Sequence, residues 1–307
     1  MKVYVDPRLI GKSNYEKLVD KYQNIEFVTE INDTKNLEIL FAMPQIVKSM
    51  NLDDYPKLKW IQYLMAGFDG LDLTKFTERG IVFCNAQDIF SKSIAEDVFT
   101  KILFFNRNVK HYLESMAEAR WEPIREEPEL TNSNVLILGV GSIGKELAKR
   151  FKAFEAYVVG YRTRAVPEEY FDKIITTDEE LVDAIKQADH VILALPLNEK
   201  TVGMFDSRKI SLMKKTALFV NVARGKVVDQ EALIKVLQEK QIRGAGLDVM
   251  DPEPLPSTNP LWKMDNVFIT PHNASSSPFM RERLYEMIVM NLDRYLKGEK
   301  VKYQISE

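Results

Sequence analysis

The apolar run Val135–Leu138 leads without a break into Gly139-Val140-Gly141-Ser142-Ile143-Gly144, and an amphipathic stretch opens directly after it at Lys145. A strand, a turn of three spaced glycines and a helix make a narrow local prescription. The first glycine makes the turn, the second lets backbone approach a pyrophosphate, and the third lets helix and strand pack closely. Amide groups at the helix start then hold the anion. The spacing alone is weak, since at about 7% glycine a chain of this length shows it by chance roughly one time in ten. The flanking strand and helix turn it into a dinucleotide-binding signal, against the bland reading of glycines used only for geometry. Gly139, Gly141, Ser142, Ile143 and Gly144 are therefore candidate cofactor-binding residues.

The same alternation runs through the whole chain. Lys2–Val5, Ile25–Thr29, Ile39–Ala42, Trp60–Leu64 and Ile81–Cys84 read as one series of strands, with helical stretches such as Tyr15–Tyr22 among them. Val135–Leu138, Tyr157–Gly160, His190–Leu195, Ala217–Val222, Gly244–Val249 and Val267–Thr270 form a second. Near-continuous apolar runs alternating with helices predict buried, parallel, doubly wound sheets. Long helical patterns span about Ser93–Glu118 and Phe279–Leu296, and the charged, proline-bearing segment Trp121–Asn134 reads as a connector. The expectation is an α/β chain of two domains: a flavodoxin-like one from residues 1–98 plus 280–307, with a Rossmann dinucleotide-binding one, residues 99–279, inserted between.

Composition narrows the class. The 307 residues are 45% hydrophobic and 28% charged with net charge -3, which argues against nucleic acid or an anionic membrane as partner. One cysteine, Cys84, cannot form an internal disulfide and fits a reducing cytoplasm. No apolar run approaches the roughly 18 residues of a membrane span. The opening residues lack a cleavage-site pattern, so no signal peptide is expected.

Ligands of open parallel sheets bind beyond the carboxyl ends of strands. The strand Tyr157–Gly160 runs into Tyr161-Arg162-Thr163-Arg164 with no carboxylate where NAD-preferring sites place one. Arg162, Thr163 and Arg164 suit a 2′-phosphate, which favours NADP over NAD, although either arginine alone reads equally as a solvated turn. Other strands lead to Leu195, Pro196 and nearby Thr201; to Val222, Ala223 and Arg224; to Asp248 and Glu253; and to His272. Each has a bland reading as surface, turn or cap. Their arrival at one edge of one sheet makes that reading improbable for the set. Of three histidines, His111 lies in a helical pattern and His190 at the start of a strand, so His272 is the acid–base candidate.

The runs LGVGSIG, ADHVILALPL, FVNVARGKVVDQEAL, GAGLDVMDPEPLP and FITPHNASS together resemble the D-isomer-specific 2-hydroxyacid dehydrogenases, over about Trp60–Asn291. The resemblance implies Arg224, Glu253 and His272 as catalytic residues. It also implies Asp248 as the residue that fixes the nicotinamide carboxamide, Met65, Ala66 and Gly67 as backbone holding the substrate carboxylate, and a homodimer through the nucleotide domain. Departures exist: Glu155 stands where glycine is usual, Asn132-Ser133-Asn134 replaces the usual Gly-Lys, and PHNASSS lacks a following glycine. The segment FAMPQ, residues 41–45, lacks the basic residue of phosphorylated-substrate members.

The chemistry implied is hydride transfer to a small 2-keto acid, or the reverse. His272 would donate the proton, Glu253 would favour its charged form, and Arg224 would anchor the carboxylate and polarise the ketone. Met43, Tyr63, Met65 and Phe279 read either as an apolar substrate pocket, which would suit uncharged side chains, or as core. No metal is expected, with one cysteine and no paired histidines. Two alternatives stand beside this reading: a formate- or phosphite-type dehydrogenase, which needs no proton relay, and a dinucleotide-sensing interaction protein of the same fold.

Overall fold

The structure, a computed structural model, describes residues 1–305. It divides into two units, Met1–Phe90 together with the segment from Ser277 on, and Ser91–Ser276. Among the described residues no helix is long and apolar enough to cross a membrane.

The first unit carries β1 (Lys2–Val5), β2 (Glu26–Val28), β3 (Leu37–Ala42), β4 (Trp60–Tyr63) and β5 (Val82–Cys84) in the order β2-β1-β3-β4-β5. All pairs are parallel, in the flavodoxin-type order. Leu37, Leu40, Ile61, Phe76 and Phe83 fill one face. Trp60 meets Phe41 edge-on at 5.2 Å and stacks on Tyr295 at 5.3 Å. That contact ties the helix Met280–Leu296 into this unit, so a chain that leaves it at residue 90 returns to complete it.

The second unit carries β6 (Asn134–Leu138), β7 (Tyr157–Tyr161), β8 (Lys173–Ile175), β9 (His190–Leu193), β10 (Leu218–Asn221), β11 (Gly244–Leu247) and β12 (Val267–Ile269). Their order, β12-β11-β10-β9-β6-β7-β8, is the doubly wound Rossmann arrangement with a seventh strand. The apolar runs are explained by two buried faces. Leu136, Leu138, Val191, Leu193 and Phe219 enter one core, while Val135, Ile137, Ile192, Leu218 and Val220 enter the other. Alternate residues of a strand point to opposite faces, so a sheet covered on both sides favours apolar residues at nearly every position.

Three expectations are corrected. The long helix expected over Ser93–Glu118 is two, Ser91–Asn106 and Val109–Ala117, broken where Asn108 turns left-handed (φ 46°), a conformation asparagine tolerates. The short edge strand β8 escaped the sequence pattern because only three residues form it and Lys173 is exposed. The units divide before Ser91 and after Ser276 rather than at 98 and 279. Ala95, Val98, Phe99 and Ile102 pack with Val135, Ile137 and Leu147, so the whole first helix belongs with the second unit.

At the amino edge of the second sheet, His190 is 4% exposed and stacks against Phe151. Burial pushes its imidazole down to about 4 from the ordinary 6.5. The unfolded chain therefore takes up this proton first on acidification. Its contribution to stability is whole above pH 6.5 and is lost as pH falls toward 4, a loss of about 2 kcal/mol by pH 5. Urea midpoints at pH 7 and pH 5 should show His190→Leu losing correspondingly less than the wild type. Equal acid losses in the two proteins would refute the assignment.

Candidate active site

One register row crosses the seven-stranded sheet: Tyr161, Leu138, Leu193, Asn221, Leu247 and Ile269 are successive neighbours. Because the strands are parallel, whatever follows this row emerges on one edge. Gly139 and Arg162 follow directly on β6 and β7, and Leu195 and Pro196 follow β9. Val222 to Arg224 follow β10, Asp248 follows β11, and Thr270 to His272 follow β12.

His272 Nδ1 lies 2.7 Å from Glu253 Oε2. A carboxylate only accepts, so Nδ1 carries the proton and Nε2 is left to face other groups. Glu253 is itself held, Oε1 accepting the Met250 amide at 3.0 Å. His272 adopts φ 50°, which for a residue other than glycine costs on the order of 1 kcal/mol. The turn is held from below by Asp248. Its carbonyl accepts the His272 amide at 2.8 Å. Its Oδ1 accepts the Thr270 hydroxyl at 2.6 Å and the Asn273 and Ala274 amides at 3.0 and 3.1 Å. Asp248 is 3% exposed, and among the described residues Oδ2 has only a longer 3.2 Å contact with the Ala274 amide, so that oxygen keeps acceptor capacity.

Arg224 follows the apolar strand β10, whose one polar residue, Asn221, is buried. The Asn221 side chain accepts from the Ala223 amide at 3.0 Å and donates to the Arg224 carbonyl at 3.2 Å, clamping the turn. Arg224 Nη1 donates to the Ala223 carbonyl at 2.6 Å. At Gly225 a Cβ would come within 2.0 Å of the Met250 carbonyl oxygen. Only glycine lets the Arg224 turn abut the backbone leading to Glu253. Gln230 bonds both the amide and the carbonyl of Asp251 in the same loop. Asn221 and Gln230 were not singled out from sequence. An amide inside an otherwise apolar strand was the available signal for the first.

The glycine loop divides its duties. A Cβ at Gly139 would meet the Ala194 carbonyl oxygen at 2.5 Å, and one at Gly144 would meet the Gly139 carbonyl oxygen at 2.1 Å, so both are required by the chain itself. A Cβ at Gly141 would meet nothing within 4 Å among the described residues, and Gly141 precedes the helix Ser142–Ala153 without a side-chain cap. Open space before uncapped amides fits a pyrophosphate. Arg162 Nη1 lies 3.5 Å from Glu168 Oε2, and Lys145 Nζ lies 2.9 Å from the same oxygen. Thr163 and Arg164 are exposed. Glu168 thus brings a carboxylate to a strand end that carries none of its own. Thr201 is 8% exposed, its hydroxyl donating to the Pro196 carbonyl and accepting from the Asn198 amide. It therefore closes the loop after β9 instead of presenting a free hydroxyl. Val222 and Ala223 are buried, Leu195 is half-buried and Pro196 exposed.

In the first unit the loop after β4 is pinned through its carbonyls. Met65 O accepts the Ala86 amide at 3.0 Å and Ala66 O accepts Asn85 Nδ2 at 2.7 Å. Among the described residues no backbone carbonyl accepts from the amides of Met65, Ala66 or Gly67. Amides with no backbone acceptor suit an anion. Tyr63, a candidate for pocket or core, is a core residue packed on Phe83 at 5.6 Å. Phe279 is exposed beneath the Arg283 guanidinium, and Met43 and Met65 are half-buried.

The family model described as D-isomer specific 2-hydroxyacid dehydrogenase, NAD binding domain, matches residues 99–274. A glyoxylate reductase of Pyrococcus furiosus is 33% identical over 294 residues, covering 92% of this chain and 83% of that protein. A D-3-phosphoglycerate dehydrogenase of Methanocaldococcus jannaschii is 34% identical over 295 residues, 92% of this chain but 55% of that protein. Among solved structures, a D-isomer specific 2-hydroxyacid dehydrogenase from Xanthobacter autotrophicus in complex with NADPH and MES superposes with TM-score 0.82 at 25% identity, over 99% of this chain and 97% of that one.

Proposed function

The chain belongs to the D-isomer specific 2-hydroxyacid dehydrogenase family and is an NAD(P)-dependent oxidoreductase; we propose that it reduces a small, unphosphorylated 2-keto acid to the D-2-hydroxy acid, with NADPH preferred. The observation that carries this is the His272–Glu253 pair at 2.7 Å on the sheet edge that holds the glycine loop. When bound, the reduced nicotinamide supplies a hydride. His272 Nε2 delivers a proton to the ketone oxygen as negative charge gathers there, and Glu253 holds Nδ1–H and stabilises the imidazolium. Arg224 binds the carboxylate and polarises the ketone.

Glyoxylate and hydroxypyruvate are the first substrates to try, in line with the Pyrococcus relative's name. The absence of a basic residue in Phe41–Gln45 argues against a phosphorylated acid. Initial rates with glyoxylate, hydroxypyruvate and longer 2-keto acids test the reading. NADPH binding without turnover of any would favour a dinucleotide sensor.

The NADPH preference rests on Arg162, Thr163 and Arg164, joined by Lys145. Replacing both arginines with alanine should raise the KM for NADPH about tenfold or more, the loss of charge-assisted phosphate contacts, while sparing NADH. Glu168 competes for Arg162 and Lys145, so Glu168→Gln should lower that KM. Equal efficiency of the wild type with both cofactors would overturn the preference.

We also place the enzyme in the cytoplasm as a homodimer through its second unit. Support comes from the lone buried Cys84 and from the exposure of Leu113, Met116 and Trp121, the last at 96%. Light scattering should give twice the 35.5 kDa of one chain. A single-chain mass at micromolar concentration would refute the dimer.

A further inference from the structure

A charge sits inside the helix Ser91–Asn106 at a position with no exposed surface: Lys101. Its stem occupies room left by Gly246, where a Cβ would fall 2.7 Å from Lys101 Cβ and 2.8 Å from Cδ. The ammonium group pairs with the Asp97 carboxylate one turn earlier and donates to Thr270 Oγ1 at 2.7 Å. The Phe268 ring lies below it, 5.7 Å to the centroid. Burial holds the Asp97 carboxyl above its usual range despite this partner.

An ammonium group can only donate, so the Thr270 hydroxyl must accept from it and turn its own proton elsewhere. That proton goes to Asp248 Oδ1, 2.6 Å away. The same oxygen receives the Asn273 and Ala274 amides. Asp97, Lys101, Thr270 and Asp248 thus form a chain of fixed polarity, ending on the carboxylate that pins the His272 turn. Stability alone does not account for it, because buried ion pairs are commonly replaced by apolar residues at no loss.

We propose that Lys101 is a positioning residue for the reaction: through Thr270 it fixes the Asp248 carboxylate and, with it, the turn that presents His272. The proposal rests on His272 being the proton donor. With Lys101 absent, the Thr270 hydroxyl can rotate away, Asp248 loses a donor, and the left-handed turn has less to hold it.

The test compares Lys101→Met, the charge-free double variant Asp97→Leu/Lys101→Met, and Thr270→Val. Lys101→Met alone strands the Asp97 carboxylate and should lower the melting temperature. The double variant should recover that temperature yet keep kcat about tenfold down, with the keto-acid KM within about twofold, the pattern of a misplaced catalytic group. Thr270→Val keeps the ion pair and should reproduce the kcat loss. Combining it with the double variant should add nothing, since both break one link. In the cofactor-free protein, amide hydrogen exchange at Asn273 and Ala274 should quicken about tenfold in the double variant while exchange in β6 is unchanged. Wild-type kcat together with unchanged exchange at these two amides would reduce the network to packing and overturn the proposal. If the wild type itself turns over no 2-keto acid, it is the proton-donor reading that fails, and exchange alone then decides whether Lys101 holds the turn.

Discussion

Replacing His272 with glutamine lowers kcat for keto-acid reduction by about two to four orders of magnitude, the range attributed to a positioned general acid. Glutamine cannot carry an exchangeable positive charge, so the proton must come from water at a site where charge is developing. The loss belongs to the chemical step, not to folding. The His272 side chain is 47% exposed and its turn is fastened through backbone amides to Asp248, contacts the substitution leaves in place. The melting temperature should move by a few degrees at most, and NADPH affinity by less than a few-fold. Single-turnover kinetics with a bound cofactor separate these effects. A His272→Gln enzyme retaining most of its turnover would show that the proton arrives by another route, and the relay with Glu253 would have to be abandoned.

The sheet edge was legible in the sequence because parallel strands are written as apolar runs and each run ends at a recognisable residue. VLIL ends at Gly139, ALFVNV at Arg224 and VFIT at His272, and period and punctuation were enough to place all three on one side. The contacts made around those residues were not legible. That Asp248 holds the His272 turn depends on a carboxylate three residues beyond Ala245 meeting amides in the loop after another strand, a pairing that no local spacing records. Glu168 was not legible for a related reason: it meets Arg162 from six positions further along the chain, beyond the strand end. The Thr201 hydroxyl is a third case: its bonds to the Pro196 carbonyl and from the Asn198 amide, which close the loop after β9, are recorded by no local spacing. Lys101 carried no sequence signal at all, since a lysine in an amphipathic helix reads as solvated.

Removing the guanidinium group with Arg224→Met should lower kcat/KM for 2-keto acids by about three to five orders of magnitude. Two losses combine. Withdrawing a preorganised donor from the polarised carbonyl costs about 10²–10³ in rate. Losing a bidentate grip on the carboxylate adds about 1.5–3 kcal/mol, roughly another ten- to hundredfold. Arg224→Lys should recover only part, because the charge returns without the planar fork. The geometry makes that fork hard to replace: Nη1 is tied to the Ala223 carbonyl at 2.6 Å and the backbone is clamped by Asn221, so the guanidinium plane is set before any substrate arrives. If Arg224 only braced its own turn, the methionine variant would unfold more easily yet keep the kcat of its folded fraction, and lysine would restore stability. Read together with His272→Gln, the variant also separates the two enzyme classes. Oxidation of a simple anion such as formate needs the cation to hold its substrate but passes no proton to a base. A severe Arg224→Met defect beside a harmless His272→Gln would therefore move the assignment to anion oxidation, whereas severe defects in both are what a ketone reductase requires.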